Sequence, residues 1–139
     1  MNDERAPLVT VYITNHNYGR YVEQAIQSVL RQTLRDFELI IIDDGSTDNS
    51  REIIERYADH EQIVTIYQQN KGLNVTNNIA LRAARGRYLM RLDADDYLDE
   101  NALMVLAGVL ERNPDVGLVF PDYFPVSYTH LTLPTIYSV

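Results

Sequence analysis

Short apolar runs alternate along this chain with stretches in which apolar side chains recur every three or four positions, the pattern of strands interleaved with amphipathic helices. Leu8-Val9-Thr10-Val11-Tyr12-Ile13 reads as a strand, after which Val22, Ala25, Ile26, Val29 and Leu30 fall on one helical face. The next run, Phe37-Glu38-Leu39-Ile40-Ile41-Ile42, ends in unbroken apolar residues, which suits a strand inside a sheet and covered on both faces. Ile53, Ile54, Tyr57 and Ala58 make a second helical stripe, Ile63 to Tyr67 a third strand, and Val75, Ile79, Ala80 and Ala83 a third stripe. Gly86 is placed to stop that helix in a left-handed cap before the strand Tyr88 to Leu92. Ala102, Leu103, Leu106 and Leu110 predict a fourth helix, ended by Asn113-Pro114, and Val116 to Phe120 a fifth strand. Repeated β-α units followed by a strand predict an α/β fold, an open and mostly parallel sheet with helices on both faces.

In sheets of this kind ligands gather beyond the carboxyl ends of the strands, above all where strand order reverses. The strands here run into Thr14-Asn15-His16-Asn17, Asp43-Asp44-Gly45-Ser46, Asn70-Lys71-Gly72 and Asp93-Ala94-Asp95-Asp96, so all these polar clusters share one edge. The last is the most informative. Crowded carboxylates resist ionising together unless a hard cation or a set of donors neutralises them. On the residues alone, Asp95 or Asp96 suits equally a cap for a helix starting near Leu98, with Asp99 and Glu100 at its positive end. Ser46 and Thr47 are placed to cap the second helix. Asp43 either accepts backbone N–H groups in the tight turn that follows it or meets ligand directly.

Composition narrows the partners. The chain has 139 residues, enough for one domain or part of one. With 12 basic against 20 acidic residues its formal charge is −8, and no Lys/Arg cluster is present to grip a phosphate backbone, so nucleic acid is not an expected partner. An anionic ligand meets an unfavourable field unless a metal or local basic groups reverse its sign at the site. The absence of cysteine excludes disulfides and thiolate metal sites. Met1 to Pro7 shows no basic region followed by an apolar core, and no apolar run reaches membrane-spanning length. The expected location is the cytoplasm, or the cytoplasmic face of a membrane for a longer form of the protein.

From Leu8 to about Phe120 the chain resembles the family 2 glycosyltransferases, with their Rossmann-like GT-A fold. Three markers carry the resemblance in the family's order and spacing: Val9 to Asn17, Phe37 to Asp48, and Ala84-Arg85-Gly86-Arg87-Tyr88 leading into Asp93-Ala94-Asp95-Asp96. The resemblance implies transfer of a sugar from a nucleoside diphosphate to an acceptor with inversion, aided by Mg2+ or Mn2+, with a UDP-sugar as the expected donor. It implies that Asp95 binds the cation and that Asp93 contacts the ribose, the cation or its water. Asp44 then accepts from the base N–H, and Thr14 bonds a base carbonyl or the ribose. His16 stands where many relatives carry an aromatic ring and is either a weaker stacking platform or a surface histidine. Lys71 is placed to neutralise phosphate, or is a solvated surface group. Asp96 keeps the helix-cap role. Arg91, inside a strand, should reach a carboxylate or phosphate, the alternative being a packed stem with its head snorkelling to solvent. Asn77 departs from the family, many of whose members have arginine there. A non-catalytic nucleotide- or metal-binding module is the alternative.

The last segment breaks the pattern. Residues 126–139 carry no charge and no helical period, and they resemble one translated frame of a transposon-end adapter used in DNA sequencing libraries. They are read as a non-native tail after a nucleotide-sugar-binding part at residues 1–125, the alternative being an edge strand from Tyr128 to Leu133 closed by Pro134. On that reading this is a truncated, N-terminal portion of the fold, without the half that supplies the acceptor site and the general base. Asp122 is a weak candidate for that base, and the expectation is binding of donor with little turnover.

Overall fold

A computed structural model of the chain describes residues 5–119 and the backbone of residues 135–138. The elements follow the predicted alternation: β1 (Val9–Asn15), α1 (Val22–Leu30), β2 (Phe37–Asp44), α2 (Ser50–Glu55), β3 (Ile63–Gln68), α3 (Leu73–Ala83), β4 (Tyr88–Asp93), α4 (Ala102–Arg112), β5 (Leu118–Val119) and β6 (Thr135–Ser138). The sheet order is β3-β2-β1-β4-β6-β5. The first four strands in that order run parallel, and β6 joins β4 and β5 antiparallel. The chain thus builds outward from β1 through β2 to β3, then crosses back to lay β4 on the other side of β1. That reversal opens a crevice between the carboxyl ends of β1 and β4.

Alternation along each strand sorts the core into two layers. Val9, Val11 and Ile13 of β1, Leu39 and Ile41 of β2, and Met90 and Leu92 of β4 face α1, α2 and α4, whose Ile26, Ile54 and Leu103 are fully or almost fully buried against them. Each such side chain stabilises the fold by about 1.5–3 kcal/mol relative to exposure. The other face, with Tyr12, Ile40, Ile42 and Leu89, is packed by Ala80 of α3 together with Ile79 and Ala84. This thinner layer leaves room beside β4. As its sequence predicts, β2 is interior, and all of its residues are buried.

The expected left-handed cap at Gly86 does not form. The chain leaves α3 through Ala84 in an extended conformation, and the glycines with positive φ are Gly45 and Gly72. Gly86 instead permits a close approach: a Cβ there would stand 2.5 Å from Thr10 N, and its N–H donates to Thr10 Oγ1 at 2.8 Å. The same junction holds Glu38, 4% exposed, whose Oε2 accepts from Thr10 Oγ1 at 2.6 Å and from Arg85 N–H at 2.6 Å.

Two cap expectations are also corrected. The fourth helix begins at Ala102 rather than near Leu98, and Asp96 lies before it in the turn closed by Asp96 N–H on Asp93 O. The start of α4 is satisfied from elsewhere: buried Gln32, just after α1, accepts from Leu103 N–H at 2.9 Å, and Asp99 accepts from Asn101 N–H at 3.0 Å. At α2, Asp48 accepts from Ser50 N–H at 2.9 Å, while Ser46 and Thr47 bond back toward Asp43 and Asn17. The fifth strand is described only at Leu118–Val119 and pairs antiparallel with β6 rather than extending the parallel set. Asp122 and the segment from Tyr128 to Pro134 lie outside the described residues.

Candidate functional site

The polar strand ends converge on an open cleft of about 530 Å3 at the β1/β4 crossover, lined in part by Thr14, His16, Asp44, Asn70, Asp93 and Asp95. Thr14 and Asp93 are register partners on adjacent strands. Asp93, Asp95 and Asp96, all half-buried, each offer an oxygen within 4.8 Å of the others. An all-oxygen set at that spacing fits a hard cation such as Mg2+ or Mn2+ and is ill suited to softer, sulfur-seeking metals. Asp93 is already engaged by Arg91, whose Nε lies 3.1 Å from Oδ1. The expectation that Arg91 reaches a carboxylate is met within its own strand.

The two aspartates ending β2 divide their work. Asp43 is buried and structural: it accepts from Asn15 Nδ2 at 2.9 Å, Ser46 Oγ at 2.6 Å and Ser46 N–H at 3.2 Å, fastening the turn through Gly45 to β1. Gly45, at φ 73°, adopts a conformation costly for other residues, and a Cβ there would meet Asn70 N at 2.6 Å. Asp44 holds the loop after β3, accepting from Lys71 N–H at 2.7 Å, Gly72 N–H at 3.1 Å and Gln68 Nε2 at 2.9 Å. Burial pushes its carboxyl up, but these three donors together outweigh that and hold it below the ordinary value. Oδ2 accepts only one of these bonds, so acceptor capacity remains at the cleft.

His16 donates from Nδ1 to the Asp44 carbonyl at 2.8 Å, because that oxygen can only accept. This holds the imidazole at the rim, with Asn70 Nδ2 at 3.3 Å from Nε2. Lys71 contributes its backbone rather than its side chain, which is exposed and not among the groups lining the cleft. Asn77 accepts from the Tyr12 hydroxyl at 3.1 Å, anchoring α3 to β1. Gln68 and Asn17 escaped the sequence reading. Asn17, at φ 60°, accepts from Thr47 N–H at 2.7 Å and Asp48 N–H at 3.2 Å, so the β1 loop clamps the approach to α2. The signal for Gln68 is register, since it stands opposite Asp44, a pairing that sequence order alone does not reveal.

The sequence pattern of glycosyl transferase family 2 matches residues 10–135. The chain belongs to that family. It is 37% identical over 118 residues to the chondroitin synthase of Escherichia coli, covering 84% of this chain and 17% of that protein. It is 40% identical over 113 residues to the uncharacterized glycosyltransferase alr2836 of Nostoc sp., covering 80% and 35% respectively. Among solved structures, the mannosyltransferase PcManGT from Pyrobaculum calidifontis, in complex with GDP-Man and Mn2+, superposes with a TM-score of 0.83 at 20% identity, over 97% of this chain and 45% of that one. Staphylococcus aureus TarS 1–349 in complex with UDP-GlcNAc gives 0.77 at 22% identity, over 94% and 45%. The fold is that of the GT-A glycosyltransferases, and the chain spans less than half the length of each of these relatives. No described helix of this family 2 chain is long and apolar enough to cross a membrane.

Proposed function

We propose that the cleft binds a nucleoside-diphosphate sugar, a UDP-sugar first among them, with a divalent cation held by Asp95 and Asp93, and that the parent enzyme transfers the sugar with inversion. The observation that carries this is the Asp93, Asp95 and Asp96 group at the strand-order reversal of a family 2 chain. The GDP-Man and Mn2+ of PcManGT and the UDP-GlcNAc of TarS support a donor of this class. When bound, Mg2+ or Mn2+ supplies Lewis-acid stabilisation of the departing diphosphate. The chain's own residues orient the rest. Thr14 offers a hydroxyl to a base carbonyl or the ribose, Asp44 Oδ2 an acceptor to a base N–H, and His16 a ring edge fixed by the Asp44 carbonyl.

Among the described residues the carboxylates lining the cleft are Asp44, Asp93 and Asp95, assigned above to the donor base and to the cation. Deprotonating an acceptor hydroxyl needs a further base, and we therefore read this chain as binding donor with little turnover. Calorimetry with uridine, guanosine and thymidine diphosphates in Mn2+ tests the reading. The expected result is heat with uridine diphosphate that disappears when the metal is chelated, and no heat with any of the three would overturn it.

A further inference from the structure

Arg91 is the only lysine or arginine among the described residues lining the donor cleft. It occupies an interior position of β4, beside Tyr12 of β1, with its side chain 34% exposed. Two residues on, Asp93 projects from the same face of the strand. The contact between them is not the two-oxygen fork that arginine and carboxylate usually form. Nε and Nη2 both converge on Oδ1, each at 3.1 Å, so Arg91 leaves Oδ2 uncommitted and most of its own N–H groups unspent on Asp93.

That geometry matters because the cleft is otherwise acidic. A donor diphosphate entering past Asp44, Asp93 and Asp95 needs positive charge beyond a single cation, and a planar guanidinium matches phosphate oxygens closely. Lys71, on the loop after β3, does not line the cleft. We propose that Arg91 bridges the cation site to the donor: it holds Asp93 through Oδ1, leaves Oδ2 to the metal, and turns its remaining N–H groups to the diphosphate. The inference rests on the donor-site reading above. It adds a diphosphate contact made from within β4.

Arg91→Gln and Arg91→Lys test the bridge, with circular dichroism to establish that each is folded. Calorimetry with UDP and GDP in excess Mn2+ reads the diphosphate contact, and Mn2+ titration followed by paramagnetic resonance without nucleotide reads the metal. Arg91→Gln should bind the wild type's preferred diphosphate about tenfold more weakly, the scale of a lost charge-assisted hydrogen bond. It should bind Mn2+ alone as tightly or more tightly, because a positive charge beside Asp93 has gone. Arg91→Lys should recover part of the diphosphate affinity, keeping charge without the fork, and it carries the test if the glutamine variant does not fold. Weakened diphosphate binding with Mn2+ affinity kept or raised is the signature. Wild-type diphosphate affinity in Arg91→Gln would overturn the bridge, as would joint loss of metal and diphosphate in a folded variant, which assigns Arg91 to shaping Asp93 alone. If the wild type binds neither UDP nor GDP with Mn2+, the donor-site reading itself fails and the bridge with it.

Discussion

The two ends of the parallel sheet treat their carboxylates in opposite ways. At the amino-terminal end, Glu38 is buried and enclosed by donors from β1 and from the junction between α3 and β4, including the Thr10 hydroxyl at 2.6 Å and the Arg85 N–H at 2.6 Å. At the carboxyl end, Asp93, Asp95 and Asp96 remain half-buried and bring their oxygens within 4.8 Å of one another. A buried carboxylate enclosed by donors serves the fold, whereas half-buried carboxylates gathered at an open cleft present oxygens that a hard cation can share. The number of acids at an edge therefore says less than what each acid faces. Asp43 and Asp44 make the point within one loop, since they sit at the ligand edge yet fasten turns with much of their capacity.

The comparison breaks if the two ends respond alike to mutation. Glu38→Ala strands the Thr10 hydroxyl and the Arg85 N–H and should cost about 3 kcal/mol of stability, while leaving Mn2+ affinity unchanged in the protein that remains folded. Denaturant unfolding reads the first effect and metal titration the second. Asp95→Asn should do the reverse. It removes a charge from the proposed cation set, so Mn2+-supported nucleotide binding should fall on the order of a hundredfold with the unfolding midpoint little changed. A large stability loss in Asp95→Asn would mean that this cluster, too, is structural.

The same contrast explains what the sequence made legible. Period and spacing located the described helices and the parallel strands, because short-range apolar alternation specifies them, but α2 ends at Glu55 before Tyr57 and Ala58, and α3 buries Thr76 and Ala80 while Val75 and Ala83 stay exposed. The polar edge was equally readable, since strand ends are local features. What escaped depends on which strands become neighbours. Gly86 looked like a helix stop, but its role comes from Thr10, far away in the chain and brought against it by the β1–β4 pairing. Asp96 looked like a cap, but Gln32 reaches α4 first from the end of α1. For the site, Asp93, Asp95, Asp44, Thr14 and His16 line the cleft as their positions at strand ends suggested, whereas Lys71 does not line it and Arg91 does. Side-chain direction in a loop cannot be read from its letters, whereas direction in a strand follows from parity.

Asp44 tests the middle of the comparison, an acid at the ligand edge with structural bonds. Asp44→Asn loses charge-assisted bonds to the Lys71 and Gly72 N–H groups and should destabilise by about 2 kcal/mol, an effect between those of Glu38 and a surface acid. Its pH dependence has a defined sign. The folded carboxyl lies below the ordinary value of 3.8, so the unfolded chain binds more protons there. The stabilisation from Asp44 is therefore complete above that value and disappears as pH falls through the lower folded one. Unfolding measured on the wild type and Asp44→Asn should show a gap at neutral pH that closes under acid. A gap that persists would assign the loss to packing rather than to charge.

The smallest effect is expected at Lys71 and is informative for that reason. Its backbone N–H completes the Asp44 cradle, so the position matters to the loop, yet the side chain is exposed and does not line the cleft. Lys71→Gln keeps the N–H and should change UDP affinity in Mn2+ by less than about twofold, as expected for an exposed charge screened by solvent. A tenfold loss in calorimetry would show that the loop closes over the donor and carries the lysine to the phosphates. The acidic cleft would then gain its positive charge from a moving loop, and the assignment of that role to a rigid strand would no longer hold.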